Sequence, residues 1–121
     1  MDFERAFVKA GGLLLAGLDP TGNGGVVAGF GDLREVELLV EAGFTPVEAI
    51  KIASYNGAKF LGRDSLIGSI AVGKAADLMI VKGDPSKNIF DIENVEIVFK
   101  DGIGYDTQKL IDSVQGLVGI R

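Results

Sequence analysis

The chain has 121 residues, 47% of them apolar and 24% charged, with a formal net charge of −5; that is one domain's length and the composition of a chain that buries a core. It is too short for a complete eight-fold β/α barrel, which needs about 250 residues. The acidic balance, the absence of Trp and only 2 Tyr exclude a nucleic-acid surface and disfavour anionic membranes. With no Cys and no His, disulfides, thiolate metal sites and every Ser-His-Asp or Cys-His arrangement are excluded as well.

Residues 2 to 10 predict a short helix with Phe3, Ala6, Phe7 and Ala10 on one stripe, ended by Gly11-Gly12. Residues 13 to 18, Leu-Leu-Leu-Ala-Gly-Leu, form a continuous apolar run that predicts a parallel strand buried on both faces. Asp19-Pro20 stops it, and a glycine-rich loop runs from Thr21 to Gly31. Asp32 is then expected as an N-cap with Glu35 three residues on, followed by a helix whose stripe is Leu33, Val36, Leu39 and Val40 and whose stop is Gly43. Thr45-Pro46-x-Glu48 is the clearest helix start in the chain. Ala49, Ile50, Ala53, Gly57, Phe60 and Leu61 are its expected buried stripe, with close packing at Gly57 and a stop at Gly62.

Beyond Arg63 the pattern shortens. Strands are expected at 66–71, 77–82 and 95–100, with turns at Val72-Gly73-Lys74 and Gly83-Asp84-Pro85 and an irregular turn over 89–94. Asp101-Gly102 marks a hairpin returning through 103–105, and Thr107 is the expected cap of a last helix bearing Leu110, Ile111 and Val114.

Four groups could carry chemistry. Asp19 closes a buried strand at a glycine-rich loop, where α/β folds place their sites, although an aspartate there can equally cap a turn. The loop lacks the dinucleotide fingerprint: Gly22 and Gly24 fit, but Val27 takes the third position, and no Lys-Ser/Thr pair makes a P-loop. Glu35, Glu37 and Glu41 read as a solvated helix face. Residues 68 to 81 read as two strands and a tight turn, a structural device with no nucleophile.

That last segment, Gly68-Ser69-Ile70-x-x-Gly73-Lys74-x-Ala76-Asp77-Leu78 followed by Gly83-Asp84-Pro85, resembles the hallmark that follows the barrel in the amidohydrolase superfamily, nearest its imidazolonepropionase-like and prolidase-like branch. Upstream, Ala16-Gly17-Leu18-Asp19 resembles the family's strand ending in Gly-Thr-Asp, with Leu18 in place of Thr. Glu41 to Ala49 and Ala53 to Gly62 resemble its following helices, and Val98 to Tyr105 its final hairpin.

The resemblance spans roughly residues 5 to 106 in the family's order. It implies an α/β fold: 1–62 as the terminal β/α portion of a TIM-type barrel, and 63–121 as part of a small β-sandwich domain. It implies hydrolysis of C–N bonds in amides, ring amides or dipeptides. It makes Asp19 both the catalytic residue and a metal ligand, the carboxylate that contacts the metal and takes a proton from its water. Asn56 and Asp77 would be structural. The family holds zinc or another divalent metal on histidines of earlier strands, so no cofactor is expected in this chain, and Met1 would fall inside a barrel helix.

The expectation is therefore a C-terminal fragment, inactive alone. Other readings are a subunit of a split hydrolase needing a His-bearing N-terminal barrel partner, a non-enzymatic interaction or scaffold domain, and a small-anion binder. Exposed apolar surface would drive homo-oligomers. No nucleic-acid or membrane partner is expected, and the setting is cytoplasmic.

Overall fold

The computed structural model describes residues 2–20, 26–27 and 29–117, so most of the glycine loop, including Gly22 and Gly24, lies outside the described residues. In order come α1 (Asp2–Lys9), an extended segment, α2 (Phe30–Glu41) and α3 (Pro46–Lys51). A π turn (Ile52–Asn56) leads directly into α4 (Gly57–Phe60). Three strands follow, β1 (Leu78–Val81), β2 (Val95–Lys100) and β3 (Ile103–Asp106), with a 3-10 turn (Ile89–Glu93) between the first two and α5 (Thr107–Ser113) at the end. The strands form one antiparallel sheet in the order β1-β2-β3. Among the described residues no helix is long and apolar enough to cross a membrane.

Local signals placed several elements as expected. At α3 the Thr45 hydroxyl accepts from the Glu48 amide at 3.3 Å, and the Glu48 carboxylate accepts from the Thr45 amide at 2.8 Å. This reciprocal cap satisfies amides that the first helical turn leaves without partners. At the hairpin Asp101 and Gly102 have φ of 51° and 80°; positive φ at both central residues matches the twist of the flanking strands.

Two predicted strands are not strands. Residues 13–18 are extended but join no ladder among the described residues. A parallel strand needs a parallel neighbour, and all the pairings here are antiparallel and lie within residues 78–106. Residues 66–71 form turns and bends, because the Lys74 ammonium draws the chain around itself. It donates to the Asp64 carbonyl, to the Ser69 hydroxyl at 2.6 Å and to the Ile67 carbonyl at 3.5 Å.

Caps moved as well. α2 starts two residues before Asp32, with Gly29 as its cap; the Asp32 carboxylate accepts from the Gly29 amide at 3.2 Å from inside the first turn. α5 is capped by Asp106 rather than Thr107, its carboxylate accepting from the Lys109 amide at 3.0 Å.

The helix expected as one regular run over 46–61 is interrupted by the π turn. The Ser54 hydroxyl bonds back to the Ile50 carbonyl at 2.6 Å, and wider turns rotate the following residues out of the 3.6-residue phase. The buried residues are Ala49, Ile52, Asn56 and Ala58, while Phe60 and Leu61 face outward. Close packing falls at Gly68 instead of Gly57, where an added Cβ would meet nothing. Gly68 has φ of 83°, and a Cβ there would stand 2.5 Å from the Ala58 Cβ and 3.1 Å from the Tyr55 Cα.

The core joins Val36 of α2, Ala49 of α3 and Ile89 and Ile92 of the 3-10 turn, with Leu33, Leu39, Val40 and Ile50 packed around them. The 3-10 turn thus anchors the sheet half to the helical half. Asp77 ties the start of β1 to the neighbouring β2–β3 turn: its carboxylate accepts from the Asp101 amide at 2.8 Å and from the Lys100 ammonium at 2.7 Å. The Asp101 amide first, and then Lys100, hold the Asp77 carboxyl below its ordinary range.

Two predictions follow from this packing. Gly68→Ala should destabilise the chain by roughly 2–4 kcal/mol, since it adds left-handed strain to a steric overlap with backbone; urea denaturation would measure this. The second concerns acid. The carboxyl of Asp84 is lowered from 3.8 to about 2, by Lys87 first and then Ser86. A depressed carboxylate contributes stability above its unfolded value and loses it as pH falls through the folded value. Thermal stability should therefore decline between about pH 4 and pH 2, and Asp84→Asn should flatten that slope slightly, the pair being solvent-exposed.

Candidate functional site

Asp19 stands at the C-terminal end of the extended 13–18 segment, so everything that fixes this segment bears on where its carboxylate lies. Six mostly apolar residues without a ladder still carry backbone groups that need partners. Side chains supply two of them. The Glu35 carboxylate of α2 accepts from the Gly17 amide at 3.1 Å. The Asn56 side-chain amide, on the π turn, donates to the Leu14 carbonyl at 2.9 Å.

Leu18 completes the seat. Gly31 in the first turn of α2 is so close that a Cβ there would lie 2.4 Å from the Leu18 Cδ1. The segment therefore runs along α2 and is held by the π turn, and Asp19 follows it directly. Asp19 itself has φ of 42°, a left-handed conformation, and its side chain is exposed. Such backbone costs of order 1–3 kcal/mol in a non-glycine residue, although aspartate tolerates it better than most.

A cavity of about 700 Å³ opens between the segment and α2, lined by Leu14, Leu15, Leu18, Phe30, Arg34 and Glu35 among others. A wider groove of about 950 Å³ lies between α3 and the sheet, over Val47, Tyr55, Met79 and Phe99. Asp19 lines neither.

The glutamates of α2 do not form the solvated face expected of them. Glu35 clamps Gly17, and Glu37 is buried at 3% exposure. Arg34 bridges Glu37 at 2.8 Å and Glu41 at 2.7 Å, which is what allows a carboxylate to sit inside. Both partners, Glu41 foremost, hold the guanidinium firmly protonated.

Among the described residues no group of three or more His, Cys, Asp or Glu could hold a metal ion. With no histidine in the chain, the residues present do not fit the family's metal, and Asp19 is a single potential ligand. The 68–81 segment holds no reactive group either: Gly68 packs on the helix, Lys74 gathers loop carbonyls and Asp77 holds the hairpin turn.

Glu35 and Asn56 are the residues that sequence reasoning missed as clamps. Glu35 read as a capping partner of Asp32. Asn56 did leave a signal: it lies one turn after the buried Ile52, and a polar side chain at a core position needs a partner.

Known proteins resemble this chain in sequence and fold. The imidazolonepropionase of Parabacteroides distasonis is 43% identical over 61 residues, which is 48% of this chain and 15% of that protein. A Xaa-Pro dipeptidase solved with methionine in its active site is 42% identical with a TM-score of 0.59, over 61% of this chain and 18% of that one. Molinate hydrolase is 25% identical with a TM-score of 0.78, over 96% of this chain and 28% of that one. The chain thus spans well under a third of the length of each. A model described as "Amidohydrolase family" matches residues 7–103, and the chain belongs to that family.

Proposed function

We propose that this chain is the C-terminal part of a metal-dependent amidohydrolase that breaks C–N bonds in amides, ring amides or dipeptides, and that it is inactive alone. The observation that carries this reading is the family match over residues 7–103 in a chain without a single histidine. Residues 1–62 then correspond to the last barrel segment, with 13–18 as its final strand. Residues 63–121 correspond to part of the small β-sandwich.

On this reading Asp19 is the one site residue the chain supplies. It is an exposed carboxylate directly after the 13–18 segment, able to ligate a cation or accept a proton. The family's zinc or other divalent metal would rest on histidines supplied from outside this sequence. The relatives named above, a dipeptidase and a hydrolase among them, set the range of substrates without choosing one.

The exposed apolar side chains favour an association reading beside it. Ile70 is 90% exposed, and Phe60, Leu61 and Val72 are also open to solvent. Patches of this kind recruit other chains. Self-association, or pairing with a His-bearing barrel partner, would cover them. A cytoplasmic setting fits a chain without cysteine.

Mixing the chain with a separately produced polypeptide carrying the earlier barrel strands and their histidines tests the proposal. Neither alone should hydrolyse a panel of amides, cyclic amides and dipeptides. Together, in the presence of zinc, they should, and Asp19→Ala should lower the rate by about 100-fold or more. Hydrolysis by this chain alone, or full activity with Asp19→Ala, would contradict it.

A further inference from the structure

We propose that Glu35 and Asn56 are positioning residues: they hold the 13–18 segment in place and so aim Asp19. The proposal rests on the reading of Asp19 as the site carboxylate given above, but its geometry is independent of any metal. Two side chains from different elements grip the segment from opposite chemical senses. Glu35 of α2 accepts from the Gly17 amide at 3.1 Å, and Asn56 of the π turn donates to the Leu14 carbonyl at 2.9 Å.

The grips are three residues apart, so the stretch between them is fixed at both ends. Gly17 is two residues from Asp19, so a hold on its amide acts close to the Asp19 backbone. Leu18 between them is seated against Gly31, where even a methyl group would overlap it. The strained φ of 42° at Asp19 is what such a hold produces: unusual backbone persists only where the surroundings over-determine it. Asn56 is buried at 9% exposure, and a buried amide whose bond reaches 42 residues along the chain is costly to leave without its partner.

Hydrogen exchange and carboxyl-carbon NMR on the intact chain test this. In the wild type the Gly17 amide should exchange roughly tenfold more slowly than that of Ala16, after correction for intrinsic rates. Glu35→Ala should abolish that protection and displace the Asp19 carboxyl signal, and Glu35→Gln, which keeps an oxygen acceptor, should restore both. The Asn56 side-chain amide protons should exchange slowly in the wild type, and Asn56→Ala should also move the Asp19 signal.

An Asp19 signal unmoved by folded Glu35→Ala and Asn56→Ala variants would overturn the proposal. So would a Gly17 amide or an Asn56 side chain that exchanges freely in the wild type, a result that needs no variant to fold. These signals read the clamp, while hydrolysis with the histidine-bearing partner reads the site. A lost clamp with intact hydrolysis would therefore sink this inference alone, and an intact clamp without hydrolysis would sink only the proposed function.

Discussion

The hydrogen bond from the Asn56 side chain to the Leu14 carbonyl connects residues 42 apart and joins the apolar 13–18 run to the π turn, where Ile52 is buried beside Asn56. A run of that composition gains by leaving water, here in part, and the backbone groups it withdraws need partners. The fold meets both demands by laying the run along α2, seating Leu18 on Gly31, and letting Glu35 and Asn56 stand in for neighbouring strands. The π turn belongs to the same solution. It brings Ile52 and Asn56 to the inner side together, one for the core and one for the tether.

The features legible in the sequence were those whose whole signal lies within a few residues. Thr45-Pro46-x-Glu48 caps itself, and Asp101-Gly102 turns its hairpin through its own φ preferences. Signals that depend on something distant were misread. Residues 13–18 have strand composition, but a strand is a relation between two segments, and no parallel partner is present among the described residues. Residues 66–71 read as a strand, yet the long Lys74 side chain reaches back to the Asp64 carbonyl and the Ser69 hydroxyl and bends the chain there. Glu37 looked like a surface residue because helix periodicity does not show that the half-exposed Arg34 side chain pairs with it.

The hallmark segment illustrates how a family pattern can be structural throughout. Gly68 fits where a side chain would strike the helix, Lys74 organises the loop, and Asp77 closes the sheet by holding the Asp101 amide and the Lys100 ammonium. Family membership is therefore recorded in residues that build the scaffold. On the function proposed above, the chemistry of the family is represented here by one carboxylate, Asp19, whose placement depends on that scaffold.

That separation makes metal content the most direct measurement. Purified protein, dialysed against metal-free buffer, would be analysed for zinc and other divalent metals per chain. A value near zero agrees with the proposal that Asp19 acts as a ligand only beside histidines from elsewhere. One tightly bound metal per chain, retained through dialysis, would mean that a histidine-free site exists within these residues and would contradict the account.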